Sequence, residues 1–199
     1  MKILVFGSSY CRDICEVDKV HNRVFHGINV EFIHRFFPGK SFEYFLETPS
    51  RIDTVLSSNP DYILVLFGGN SISTITPKKE ILDNCRDFYD ILYHKAILRN
   101  PDCKIVASQV PLRFVNKRNR HHTPFPKEFK KIRDSVNKKL KTVKSIHHIL
   151  NIGGPGRLDN KKLYRDNVHF KDEGLDKQLD IIVSAFENYI GSDIKRNGS

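Results

Sequence analysis

Apolar residues follow two arrangements along this chain, and the two alternate. Short unbroken runs, Ile3–Phe6 and the Asp61–Phe67 stretch above all, are rich in branched and aromatic side chains. A strand buried on both faces has that composition. Asn29–Phe37, Cys103–Pro111 and Ile146–Ile152 read as further strands, the second of these centred on Lys104-Ile-Val-Ala107. Between them apolar residues recur every three or four positions, the spacing of one helix face. Ile81, Cys85, Phe88, Leu92 and Ala96 do so between Thr76-Pro77 and Asn100-Pro101, which predicts a helix to about Arg99. Phe129, Ile132, Val136, Leu140 and Val143 predict a helix over Lys127–Val143, and Leu175, Leu179, Ile182, Val183, Phe186 and Ile190 a last one closed by Gly191. Cys11, Ile14, Cys15 and Val17 give a first helix over Tyr10–Val20; Ser41–Leu46 and Pro49–Leu56 are short helical pieces.

Five strands alternating with helices predict a parallel sheet with right-handed crossovers and helices on both faces. The expected class is α/β: a flavodoxin-like three-layer α/β/α sandwich on a five-stranded parallel sheet. Residues 1–191 form one domain and 192–199 a frayed C-terminal tail; no internal repeat or linker interrupts them. A chain of 199 residues is long enough for one substantial core.

Composition narrows the setting. No apolar run approaches the ~18 to 20 residues of a membrane-spanning helix, and the four apolar residues after Lys2 are too few for a secretory leader. The four cysteines, Cys11, Cys15, Cys85 and Cys103, make no CxxC pair and no zinc pattern. They read as free thiols of a reducing compartment, so a cytoplasmic location is expected. The formal charge is +10, and Arg113–Lys144 alone holds 12 basic residues against two acidic ones, so the rest of the chain is balanced. Such a segment is either a solvated basic face or a contact for RNA or an anionic surface. Arg113, Lys117, Arg118, Arg120, Lys130, Lys131 and Lys138 would be its nucleic-acid contacts.

Ligands of open α/β sheets bind beyond the carboxyl ends of the strands. Four loops there carry suitable chemistry: Gly7-Ser8-Ser9, Pro38-Gly39, Gly68-Gly69-Asn70-Ser71, and Asp166-Asn-Val-His169 before the last helix. A nucleophilic serine needs a base, a group orienting that base, and donors for the oxyanion. Ser9, His169 and Asp166, with the Ser9 and Gly39 N–H groups and the Asn70 amide, would fill those roles. Each residue also has a plainer use: a serine after a first strand turns the chain or caps a helix, an asparagine after glycines turns it, and a histidine there packs against the last helix.

In order and place, the four blocks resemble the SGNH (GDSL-like) hydrolases. That family sets its serine in Gly-Asp-Ser after the first strand, a glycine after the second, Gly-x-Asn-Asp after the third, and Asp-x-x-His before the last helix. The resemblance runs from Lys2 to about Tyr189. It implies a serine esterase acting on a short acyl, acetyl-type ester, carried by a small molecule or a polymer, with Ser9, Asp166 and His169 as triad and Ser9, Gly39 and Asn70 as oxyanion hole. Ser8 and Ser71 stand where the family has aspartates. A looser resemblance is to the esterase-like domains encoded by animal retrotransposons, carried by Gly-Ser-Ser-x-x-Arg-Asp over 7–13, Ser108-Gln-Val-Pro-Leu-Arg113 and Arg165-Asp-Asn-Val-His-Phe170. The alternative function is a catalytically weakened module of this fold that binds RNA or an anionic surface through the basic segment.

Several rival motifs fail. Gly39-Lys40-Ser41 resembles the end of a phosphate-binding loop, but His34 stands where that loop needs its first glycine. Gly153-Gly-Pro-Gly156 opens no clear helix, His121-His122 and His147-His148 lack metal-ligand spacing, and no G-x-S-x-G elbow is present. No cofactor or metal is expected.

Overall fold

The computed structural model describes residues 1–8, 23–113, 125–152, 161–163 and 172–197. Its centre is a six-stranded sheet: β1 (Lys2–Gly7), β2 (Arg23–Phe25), β3 (Ile28–Phe36), β4 (Tyr62–Leu66), β5 (Lys104–Ser108) and β6 (His148–Leu150). The spatial order is β2-β3-β1-β4-β5-β6. Strands β3, β1, β4, β5 and β6 run parallel. This is the flavodoxin-like order expected from the sequence. The first helix expected, Tyr10–Val20, lies outside the described residues.

Helices α1 (Phe42–Leu46), α2 (Ser50–Val55), α3 (Lys78–Ile97), α4 (Pro126–Leu140) and α5 (Asp172–Asn197) complete the described layers. Strands β1 and β4 are apolar at successive positions because both their faces are covered. Phe6 and Ile63 belong to a core shared with α1 to α4, whereas Val5 and Leu64 belong to a second core under α5. The first core is dense in phenylalanine: the Phe6 ring meets Phe45 edge-on at 5.2 Å, and Phe67 stacks on Phe88 at 5.8 Å. Cys85 and Cys103 are free and buried, and burial pushes both thiols up to about 12. No helix among the described residues is long and apolar enough to cross a membrane.

Two features differ from the sequence reading. The sheet gains β2, an antiparallel edge strand joined to β3 by a two-residue turn at His26-Gly27. Both turn residues have positive φ, 49° and 82°, as the tight turns that match strand twist require. The last helix also does not close at Gly191 but continues to Asn197. Gly191 lies where the helix passes the hairpin, and a Cβ there would run into the His26 ring. Beyond it, Asp193 accepts hydrogen bonds from Tyr62 Oη at 2.8 Å and Lys104 Nζ at 2.5 Å, fastening the extra turns to β4 and β5.

Candidate active site

Three of the four loops singled out from the sequence reach the carboxyl edge of the sheet within the described residues. After β1, Ser8 continues the ladder through its N–H to Leu66 O at 3.2 Å. Its side chain turns inward: Ser8 is 1% exposed, and its hydroxyl meets no partner among the described residues. It borders a cavity of about 10 Å³ together with Gly69, Ser108 and Gln178. That is room for about one water. The Gln178 side chain, buried on α5, likewise leaves its Oε1 without a partner among the described residues.

After β3, Phe37-Pro38-Gly39-Lys40 makes a β-turn closed by Lys40 N–H to Phe37 O at 3.2 Å. Proline at its second position and a glycine at φ 72° at its third are what a type II turn demands. Gly39 is exposed at the tip, and its N–H makes no bond to a described residue.

After β4, Gly68 adopts φ 115° and a short 3₁₀ turn follows over Gly69–Ser71. This turn puts the Asn70 amide across to the neighbouring loop, where Asn70 Nδ2 donates to Lys40 O at 3.0 Å. Asn70 Oδ1 in turn accepts from Arg113 Nη2 at 2.7 Å. Ser71, which replaces an aspartate of the resembled family, is buried, and its Oγ accepts the Phe42 N–H at 2.9 Å. That N–H is among the unpaired donors opening α1. Ser41, adjacent in sequence, makes no such side-chain cap. The two loops are thus tied twice, by Asn70 and by Ser71.

Ser9, Asp166 and His169 lie outside the described residues, as do Lys117, Arg118 and Arg120. Lys130, Lys131 and Lys138 are exposed on α4, with Lys130 paired to Asp134 at 2.9 Å. Arg113 does not join them. It is 6% exposed, with its guanidinium carbon 5.9 Å from the centre of the Phe129 ring. Expected as a nucleic-acid contact, it is instead turned into the carboxyl-edge cluster, because Asn70 offers an acceptor and Phe129 a face for the planar cation. Asn137 on α4 also escaped the sequence reading. Its side chain is buried and bonds both backbone groups of Val110, N–H to Oδ1 at 2.8 Å and Nδ2 to O at 3.2 Å. Among the described residues, no group of three or more His, Cys, Asp or Glu could hold a metal.

Comparison of the sequence with protein-family models and with curated proteins finds no match. Solved structures do match. A lipase/acylhydrolase from Enterococcus faecalis superposes with a TM-score of 0.63 at 18% identity, over 94% of this chain and 96% of that one. A GDSL-like lipase from Bacteroides thetaiotaomicron gives 0.65 at 16% identity, over 94% and 88%. The chain has the SGNH-hydrolase fold. An acetyl xylan esterase, AlAXEase, is similar to the same degree, 0.61 at 18% identity over 93% of this chain and 99% of that one. In this chain Gly39 follows β3 and Asn70 follows β4.

Proposed function

We propose that this chain is a serine ester hydrolase acting on short acyl, acetyl-type esters. The observation that carries the reading is the hydrogen bond from Asn70 Nδ2 to Lys40 O, 3.0 Å. It brings the Asn70 amide beside the Gly39 turn, and these two proposed oxyanion donors follow β3 and β4, the strands on either side of β1. Burial of Ser8 turns its hydroxyl away from substrate, which leaves Ser9 as the serine of this block proposed to react.

Ser9 Oγ attacks the ester carbonyl carbon while His169 takes its proton. The tetrahedral oxyanion is held by the Ser9 N–H, the Gly39 N–H and the second N–H of the Asn70 amide. His169 then returns the proton to the leaving alcohol, and Asp166 keeps the imidazole in the required tautomer. Water, activated by His169, releases the acid and restores Ser9. Loss of one oxyanion donor costs about 10²- to 10³-fold in kcat.

The test is hydrolysis of 4-nitrophenyl acetate by the wild type, Ser9→Ala and Asn70→Ala. A wild-type rate well above background, lost in Ser9→Ala and reduced at least a hundredfold in Asn70→Ala, is expected. Equal rates for wild type and Ser9→Ala would refute the proposal.

A further inference from the structure

A carboxamide can be turned by 180° with almost no change of shape, and only one of its two orientations offers N–H groups to an oxyanion. Asn70 is held from both ends. Its Oδ1 faces Arg113 Nη2 at 2.7 Å, and its Nδ2 faces Lys40 O at 3.0 Å. A guanidinium is donor-only and a backbone carbonyl acceptor-only. The turned amide would set NH₂ against the cation and oxygen against oxygen, so these two neighbours admit one orientation. It directs Nδ2 to the Gly39 side. One N–H binds Lys40 O; the other has no partner among the described residues.

Arg113 is itself fixed. It is 6% exposed, it lies over Phe129, and a Cβ at Gly69 would come within 2.8 Å of its Nη2. Gly69 therefore leaves the space the guanidinium fills. A fixed positive charge on Oδ1 also draws electron density from the amide and strengthens its N–H as a donor.

We infer that Arg113 is a positioning residue for the oxyanion hole, setting the orientation and donor strength of the Asn70 amide. This rests on the ester-hydrolase reading above. It assigns to the first residue of the basic segment a task unrelated to binding polyanions.

The test is 4-nitrophenyl acetate kinetics on the wild type, Arg113→Met, Asn70→Ala and the double variant, with the ¹⁵N–¹H resonances of the Asn70 carboxamide recorded in the wild type and Arg113→Met. Arg113→Met should lower kcat about 10- to 100-fold, a part of the loss for removing the donor itself, with KM within about threefold. In the Asn70→Ala background the same change should cost less than about threefold, because its target is gone. The carboxamide pair should shift in Arg113→Met. Arg113→Lys, which keeps the buried charge and one donor but loses the planar fork, should recover part of kcat and carries the same comparison if Arg113→Met does not fold. An Arg113→Met kcat within threefold of wild type, or an equal loss with and without Asn70, overturns the inference. A wild type no faster than Ser9→Ala overturns the ester-hydrolase reading instead, and an unshifted carboxamide pair would then overturn the positioning as well.

Discussion

Replacing Asn137 by Ala should cost far more than its polar character and helical setting suggest. Val110 is 1% exposed, and both its backbone groups are satisfied by the Asn137 side chain, at 2.8 and 3.2 Å. The alanine variant leaves a buried N–H and a buried C=O without partners. Each such orphan costs about 1–3 kcal/mol. Some of that is recovered by relaxation and by no longer burying the asparagine amide, so a total of about 2–4 kcal/mol is expected. The measurement is urea denaturation: the midpoint should fall while the slope stays constant, the mark of lost stability rather than an altered unfolded state. Lys138→Ala, one residue on and exposed, is the control and should change stability by less than about 0.5 kcal/mol. The clamp also reaches the candidate site. A Cβ at Gly68 would sit 2.9 Å from Val110 Cγ2, so Val110 and the loop carrying Asn70 are in close packing. A loss below about 1 kcal/mol for Asn137→Ala would refute the reasoning, since it would mean that water or other groups satisfy Val110.

Tyr89→Phe should stabilise the protein. The Tyr89 hydroxyl is buried with no hydrogen-bond partner among the described residues, and burial holds its pKa well above the usual phenol range. Removing an orphan hydroxyl should gain about 1 kcal/mol, seen as a rise of about 2–4 °C in Tm; a fall would show that the hydroxyl is bonded. Asp193→Asn should matter at neutral pH and not in acid. Burial alone would raise the Asp193 pKa, but its hydrogen bonds to Lys104 and Tyr62 outweigh this and lower it. The stability it contributes is present above the ordinary carboxylate pKa of about 3.9 and disappears as pH falls through the lowered folded value. The stability gap between wild type and Asp193→Asn should therefore close as pH falls below about 4; a gap independent of pH would count against the assignment.

The parallel strands and the long helices were legible because each is marked by a run or a repeat of several residues. Strand β2 was not, since three residues carry no periodicity and its turn has His26 where an asparagine or aspartate would have announced a hairpin. Gly191 misled for a related reason: a glycine near a helix end suggests a stop, while close passage of a distant ring leaves no mark in the local sequence. In the candidate site, the places of Gly39 and Asn70 followed from strand ends and glycines. Arg113 did not, because a basic residue at the start of a basic run reads as solvated until the acceptor that buries it, 43 residues away, is known. Asn137 is the same case with a backbone partner 27 residues away. Polar side chains that face inward are decided by contacts distant in sequence, and hydropathy patterns report them as outward.

The two outer strands of the sheet, β2 and β6, are each three residues long. An outer strand is where a second chain could add by backbone pairing, and the length of the unpaired run sets how many bonds such an intruder gains. Three residues give it too few to offset the cost of ordering its own backbone. β6 covers the apolar β5 over Val106–Ser108, and β2 covers Ile28–Val30 of β3, beyond which β3 carries Glu31, His34 and Arg35 among its apolar residues. Short rim strands together with charged residues on β3 thus make the folded sheet a poor seed for strand-by-strand aggregation, although its interior is built of the residues that most favour it.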